Sequence, residues 1–334
     1  MIRVDGGKIW GVSMGHIKRS LSLAEELKNK YDIIFLMQNY IDGVNYVRQF
    51  GWDVHTIPIG DNSDRTIIDF CRYHNPIKII FDLNQFKYPT FTQYAKTKGL
   101  PVIVFDIIGF VEGEPTIIFN DSMASEHMNY NHLQCETRLC IGSKYFILPF
   151  EYGRTRKRDI NPIVNNIVIT MGGSDPAGLT IKILNSIIKF SFNVHYHIIL
   201  GPLFDDTESV IKLSEEYSNI TMYTNPRNFV EILSDADIVI TAGGRTLFES
   251  SYLGIPAIIL PSIEHENVTA IEYAKRTGAI NLGLWNDEWT PIKMGSTMNK
   301  YMSNYKYRQS LSETSRQLID GIGIYRIIDI INSL

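Results

Sequence analysis

Short apolar runs alternate with stretches of helical periodicity almost from end to end of the chain, the pattern of βα units that build mostly parallel sheets. In the first half, the runs at 2–5, 32–37, 78–82, 101–106 and 116–120 predict strands. Between the first two, Ile17, Leu21, Ala24 and Leu27 recur at helical spacing, so a helix should begin close to His16 and lay that face on the sheet. The loop before it carries Gly6, Gly7, Gly11 and Gly15. The stretch 154–162 is polar and basic, lacks periodicity and ends in proline, as a linker does. A second βα series follows, with strands expected at 166–171, 194–200, 220–223, 237–242, 257–261 and 279–282. Gly254 sits where a helix C-cap would and Pro256 opens the next strand. The chain closes on the helical, apolar-rich IYRIIDIINSL. The division expected is a domain over 1–153, a linker over 154–162 and a second domain over 163–334.

Composition narrows the function classes. The 334 residues exceed one domain at roughly 150 residues each. A hydrophobic fraction of 44% with 20% charged residues is ordinary for a folded soluble chain. A net charge of -4 offers no general attraction for nucleic acid, so no nucleic-acid partner is expected. No apolar run approaches the ~18 residues of a membrane span, and the opening MIRVDGGK lacks the form of a signal peptide. Three cysteines, Cys71, Cys135 and Cys140, form no metal-type spacing and suit a reducing compartment. A cytoplasmic location follows as the expectation.

Chemistry is sought in the loops that follow strands, because open α/β sheets bind ligands beyond their carboxyl edges. Two similar α/β domains would set both edges around one cleft. Gly172, Gly173, Ser174 and Asp175 link an apolar strand to a helical run, and glycines there let a phosphate approach the backbone and the helix start. The stretch 173–180 misses a Walker loop, with Leu179 where the lysine belongs. A P-loop ATPase is thus disfavoured, while a diphosphate site is not. Gly243, Gly244, Arg245 and Thr246 form a second loop of this kind, with Arg245 and Thr246 as donors. One turn on, Glu249 could accept from ribose hydroxyls. A plain tight turn would use the same glycines, and a solvated helix would carry the same glutamate. His16 follows Gly15 at a helix start, where the dipole disfavours the charged ring and keeps a base available; capping needs alone would also explain it. Asp235 and Asp237 match a DxD metal motif only formally, because Asp237 opens a buried strand. His195 and His197 have no Cys or carboxylate at ligand spacing. Neither a nucleophile elbow nor an H-E-x-x-H motif is present.

Arg3-Val4-Asp5, Gly15-His16-Ile17-Lys18-Arg19, the Asp82 and Asp106 strand ends, the run IGSKYFIL at 141–148, Gly172-Gly173-Ser174-Asp175 and Ala242-Gly243-Gly244-Arg245-Thr246 with Glu249 carry a resemblance. Together they resemble the UDP-sugar hydrolase of the pseudaminic acid pathway, which cleaves UDP-2,4-diacetamido-2,4,6-trideoxy-β-L-altropyranose. The second half alone also looks like the donor-binding domain of the peptidoglycan glycosyltransferase that makes lipid II. The resemblance implies an α/β fold of the GT-B class, two Rossmann-like domains with parallel sheets facing an interdomain cleft, and a UDP-sugar substrate with no cofactor and no metal. It implies that His16 activates water at the anomeric carbon with inversion, and that Asp5 orients His16 or binds sugar hydroxyls. It places Gly172, Gly173, Ser174, Gly243, Gly244, Arg245, Thr246 and Glu249 on the nucleotide, and Gly15, Arg19, Asn84, Asp106, Glu266 and Asn267 on the rest of the substrate. The chain departs from the family pattern in a loop about two residues longer before His16, in Leu83-Asn84 where His-Tyr is usual, and in His265-Glu266 where Asn-Gln is usual. Those departures leave open a GT-B glycosyltransferase using a UDP-sugar, or a module that binds a sugar nucleotide without turnover.

Overall fold

The computed structural model describes residues 1–7, 14–133, 136–155, 159–190, 192–202 and 204–334. Gly11, Cys135 and the linker positions 156–158 lie outside the described residues. The chain forms two compact units, one of Met1–Pro149 with Gly321–Leu334 and one of Phe150–Asp320.

Unit 1 contains β1 (Ile2–Val4), β2 (Ile34–Gln38), β3 (Asp53–Ile57), β4 (Ile79–Asp82), β5 (Phe86–Lys87), β6 (Val102–Phe105), β7 (Val111–Glu112), β8 (Ile117–Asn120) and β9 (Arg138–Ile141). Seven of these form one parallel sheet in the order β3-β2-β1-β4-β6-β8-β9, while β5 and β7 pair as a short parallel ribbon. Successive side chains of a strand face opposite ways, and both faces are covered. Ile2, Val4, Ile80, Ile103, Phe105, Ile117 and Phe119 meet Ile17, Leu21, Ala24 and Leu27 of the helix Met14–Leu27 on one face. Ile79, Phe81, Val102, Val104 and Ile118 meet Ile67, Cys71, Phe91 and Ala95 on the other. The helix thus begins close to His16, on the face that the spacing predicts.

Unit 2 contains β10 (Asn166–Thr170), β11 (His195–Leu200), β12 (Ile220–Thr224), β13 (Ile238–Thr241), β14 (Ala257–Ile259) and β15 (Ile280–Asn281), a parallel sheet in the order β12-β11-β10-β13-β14-β15. Gly254 ends the helix Arg245–Leu253 in the left-handed conformation at φ 75°, which a glycine adopts without strain.

The strands absent from the sequence reading are mainly β3 and β9, the two edges of the first sheet. Both carry polar, exposed positions such as Asp53, Thr56 and Arg138, so neither reads as an apolar run. The terminal helix corrects the expected division at 163–334. Gly323–Ser333 packs in unit 1, where Ile324, Ile327 and Ile331 join the core of Ile2 and Ile17. Burying each isoleucine stabilises unit 1 by about 2 kcal/mol, and Gly323 allows the close approach: a Cβ there would lie 2.9 Å from the Phe146 amide nitrogen. Among the described residues, no helix is long and apolar enough to cross a membrane.

Candidate active site

The centre of unit 1 is a carboxylate. β4 lies between β1 and β6, and its last residue, Asp82, is 1% exposed. His16, Arg19 and Ser20 stand at i, i+3 and i+4 on one face of the helix Met14–Leu27, and all three converge on Asp82. The His16 Nδ1 is 2.6 Å from Oδ1. Arg19 donates from Nε to Oδ2 at 2.8 Å and from Nη2 to Oδ1 at 2.5 Å, and the Ser20 hydroxyl donates to Oδ2 at 3.2 Å. Burial alone would raise the Asp82 carboxyl, but the charges and hydrogen bonds of Arg19 and His16 outweigh it and hold the group well below the usual carboxylate range. Burial likewise opposes the Arg19 charge, and Asp82 with Asp121 overcomes it. The guanidinium also lies 5.0 Å over the Phe105 ring.

The outer ring nitrogen of His16, Nε2, lies 2.8 Å from Oδ1 of Asn84, an exposed residue of the loop after β4. Asp82 orients the imidazole with Nδ1 toward the buried carboxylate. The amide of Asn84 offers an acceptor to an N–H and, after rotation, a donor to a lone pair, so it can partner Nε2 in either protonation state.

Asp5, Asp106 and Gly15 are placed differently from the expectation. Asp5 does not orient His16. Its carboxylate is gripped by Arg3 at 2.6 and 2.8 Å and accepts from the Gln38 amide at 2.7 Å, because Arg3 is buried and needs a bidentate partner. Asp106 is a scaffold of its own loop: it accepts from the Ile108 and Gly109 amides at 3.2 and 2.8 Å and from the Tyr130 hydroxyl at 2.5 Å. Burial first, then this carboxylate, raises the Tyr130 phenol above its usual range. Gly15 belongs to the helix itself, not to the loop before it.

In unit 2 the two glycine loops leave adjacent strands at the same height, since Thr170 of β10 lies opposite Thr241 of β13. Gly172 and Gly173 are exposed and Gly172 has φ 83°. Ser174 is half-buried. Asp175 corrects the expectation that a phosphate takes the helix start behind this loop. Its carboxylate accepts from the Leu179 and Thr180 amides at 2.8 and 2.7 Å, and so satisfies the amino end of the helix Leu179–Ile187 from within the chain.

The other helix start differs. Gly244 caps the helix Arg245–Leu253 with extended backbone and no side-chain hydrogen bond, and Gly244, Arg245 and Thr246 are half-exposed. Gly243 lies against Glu266: a Cβ there would be 3.0 Å from the Glu266 Cβ. The Glu266 carboxylate accepts from the Ser262 amide at 2.8 Å, and burial, with Asp175 adding, raises its pKa. Asn267 is paired with Glu264 and Asn281. Glu249, on the second turn of its helix, is 8% exposed and faces Tyr152.

Asp237 accepts from the Asn165 and Asn166 amides at 2.7 and 2.9 Å, a structural role. Among the described residues, no group of three His, Cys, Asp or Glu side chains could hold a metal ion. Ser20, Asp121 and Tyr152 were not legible as site residues. The spacing of Ser20 from His16 was the available signal, whereas Asp121 and Tyr152 gave none.

Residues 167–318 match the model of the Glycosyltransferase family 28 C-terminal domain. An uncharacterised protein of Methanocaldococcus jannaschii is 30% identical over 312 residues, 88% of this chain; the alignment spans 60% of that relative's length. The spore coat polysaccharide biosynthesis protein SpsG of Bacillus subtilis is 27% identical, over 100% of this chain and 97% of its own. The crystal structure of Acinetobacter baumannii MurG superposes with a TM-score of 0.69 at 14% identity, covering 100% of this chain and 99% of that one. The chain thus has the GT-B fold of these solved structures, and its residues 167–318 match a glycosyltransferase domain.

Proposed function

We propose that the chain hydrolyses a sugar nucleotide of the UDP-2,4-diacetamido-2,4,6-trideoxy-hexose type, releasing UDP and free sugar with inversion, in nonulosonic acid biosynthesis of the pseudaminic kind. The observation that carries this reading is the His16 imidazole fixed on a buried carboxylate, 2.6 Å from Asp82, with its second nitrogen directed to an exposed loop residue. In this reading unit 2 holds the nucleotide and unit 1 supplies the base. Water loses a proton to Nε2 of His16 as its oxygen bonds to the anomeric carbon. The bond from that carbon to the diphosphate oxygen breaks, and the electron pair leaves with UDP. The Gly244, Arg245 and Thr246 amides, at a helix start with no side-chain cap, receive the diphosphate charge. Asp82 stabilises the imidazolium while it lasts, as the buried aspartate of a hydrolase triad does. The proton then passes to solvent.

A second reading, transfer of the sugar to another acceptor, is favoured by the match of residues 167–318 to a glycosyltransferase domain. It is favoured also by the Bacillus relative, whose name assigns it to polysaccharide biosynthesis. The two readings separate on the acceptor. Incubation with UDP-sugars, followed by proton NMR, should show UDP and free sugar accumulating together in water alone. UDP release that waits for an added sugar or lipid identifies a transferase. His16→Ala should keep its UDP affinity and lose about 10²–10⁴-fold in turnover, and full activity would remove His16 from the reaction.

A further inference from the structure

Tyr152 lies in the short turn Phe150–Arg154 and is 1% exposed. Its ring meets that of Tyr252 edge-on, with centroids 6.3 Å apart and planes at 83°. Tyr252 and Glu249 both belong to the helix Arg245–Leu253, so the ring is packed against the helix that opens at the glycine loop. The phenol faces the Glu249 carboxylate; burial above all, then that carboxylate and Glu151, push it well above its usual range, while the Arg245 charge works the other way. Yet its hydroxyl has no hydrogen-bond partner of ordinary length and angle.

That combination is informative. A buried hydroxyl without a partner destabilises the fold, and phenylalanine would supply the same ring without that cost. Two other buried tyrosines of unit 2 use their hydroxyls: Tyr273 accepts from Ser251, and Tyr301 donates to the Ala257 carbonyl at 2.6 Å. The Tyr152 hydroxyl is aimed instead at a carboxylate one helical turn beyond the loop proposed to hold a diphosphate. At that distance from a diphosphate, a nucleotide carries the vicinal hydroxyls of its ribose, and a carboxylate is the acceptor such a diol needs.

We infer that Tyr152 is a positioning residue for ribose recognition: its hydroxyl donates to Glu249 in the nucleotide complex and holds the carboxylate where it accepts from both ribose hydroxyls. The inference rests on the nucleotide-binding reading of unit 2. Calorimetry with UDP and with 2′,3′-dideoxy-UDP tests it, on the wild-type chain, Tyr152→Phe and Glu249→Gln. The wild type should prefer UDP by about tenfold or more. Tyr152→Phe should narrow that preference about five- to tenfold by weakening UDP alone, and Glu249→Gln should narrow it further. A merely structural role for Tyr152 weakens both ligands equally and overturns the inference, as does an unchanged preference in Tyr152→Phe. A wild-type chain that binds UDP without preferring it to the dideoxy form also overturns the inference while leaving the nucleotide reading intact. If the wild type binds neither ligand, the nucleotide reading falls and the inference falls with it.

Discussion

Asp82→Asn separates the two jobs that the structure assigns to one carboxylate. The amide keeps the shape of the side chain and removes its charge, so Arg19, 4% exposed, loses the partner that holds it at 2.5 and 2.8 Å. Asp121, at 3.5 Å, is too far to replace that grip. Breaking a buried ion pair from one side costs about 3–5 kcal/mol, a large part of the roughly 5–15 kcal/mol that holds a folded protein together. At about 2–4 °C per kcal/mol for units of this size, the melting temperature should fall by roughly 6–20 °C. The chemistry should suffer separately. The asparagine NH₂ would face Nδ1 and put the ring proton on Nε2, the nitrogen that must accept one, and the same exchange in a serine protease triad lowers turnover about 10⁴-fold. The pH dependence carries a sign. The folded-state pKa of Asp82 is depressed, so its stabilisation is complete above the unfolded value near 3.9 and is lost as pH falls through the folded one. Urea denaturation from neutral pH down to about pH 3 should therefore show the gap between wild type and variant narrowing at the acid end. The assays are that titration and UDP release at saturating sugar nucleotide. A variant that unfolds within about 1 kcal/mol of wild type and turns over normally would refute the account of this site.

Two further outcomes follow from unit 2. A Cβ added at Gly201 would fall on the carbonyl oxygens of Gly172 and Gly173, and 2.5 Å from the Gly173 Cα, backbone atoms with no flexible end to yield. Gly201→Ala should destabilise unit 2 by about 1–3 kcal/mol; a urea midpoint unchanged from wild type would refute that. Burial, with Asp175 adding, raises Glu266 in the folded chain. Folded Glu266 holds its proton to higher pH than the unfolded chain does, so stability falls as pH climbs from the unfolded value near 4.3 through the folded one. Glu266→Gln, whose carbonyl still accepts from the Ser262 amide, should melt higher than wild type at neutral pH and lose that advantage below about pH 4; coincident melting curves across that range would contradict it.

The two parallel sheets, most of their strands and both glycine loops were legible in the sequence, because a strand buried on both faces must be a continuous apolar run and a tight strand-to-helix turn must use glycine. His16 and its helix were legible for the same kind of local reason. What was not legible is long-range. Asp5 and Asp82 both end apolar strands, and periodicity cannot say which one lies beneath the imidazole; the sheet order, with β4 between β1 and β6, brings Asp82 there and leaves Asp5 to Arg3. The helix start behind Gly172 reads as an anion site until Asp175, four residues before Leu179, turns back onto its amides. The last helix looked like part of the second half until its isoleucine face met the core of the first. Sequence alone determined most of the strands, helices and turns, since those depend largely on neighbours a few residues apart. Tertiary structure decided which charge meets which, because a buried carboxylate takes its role from the cations that the fold packs around it.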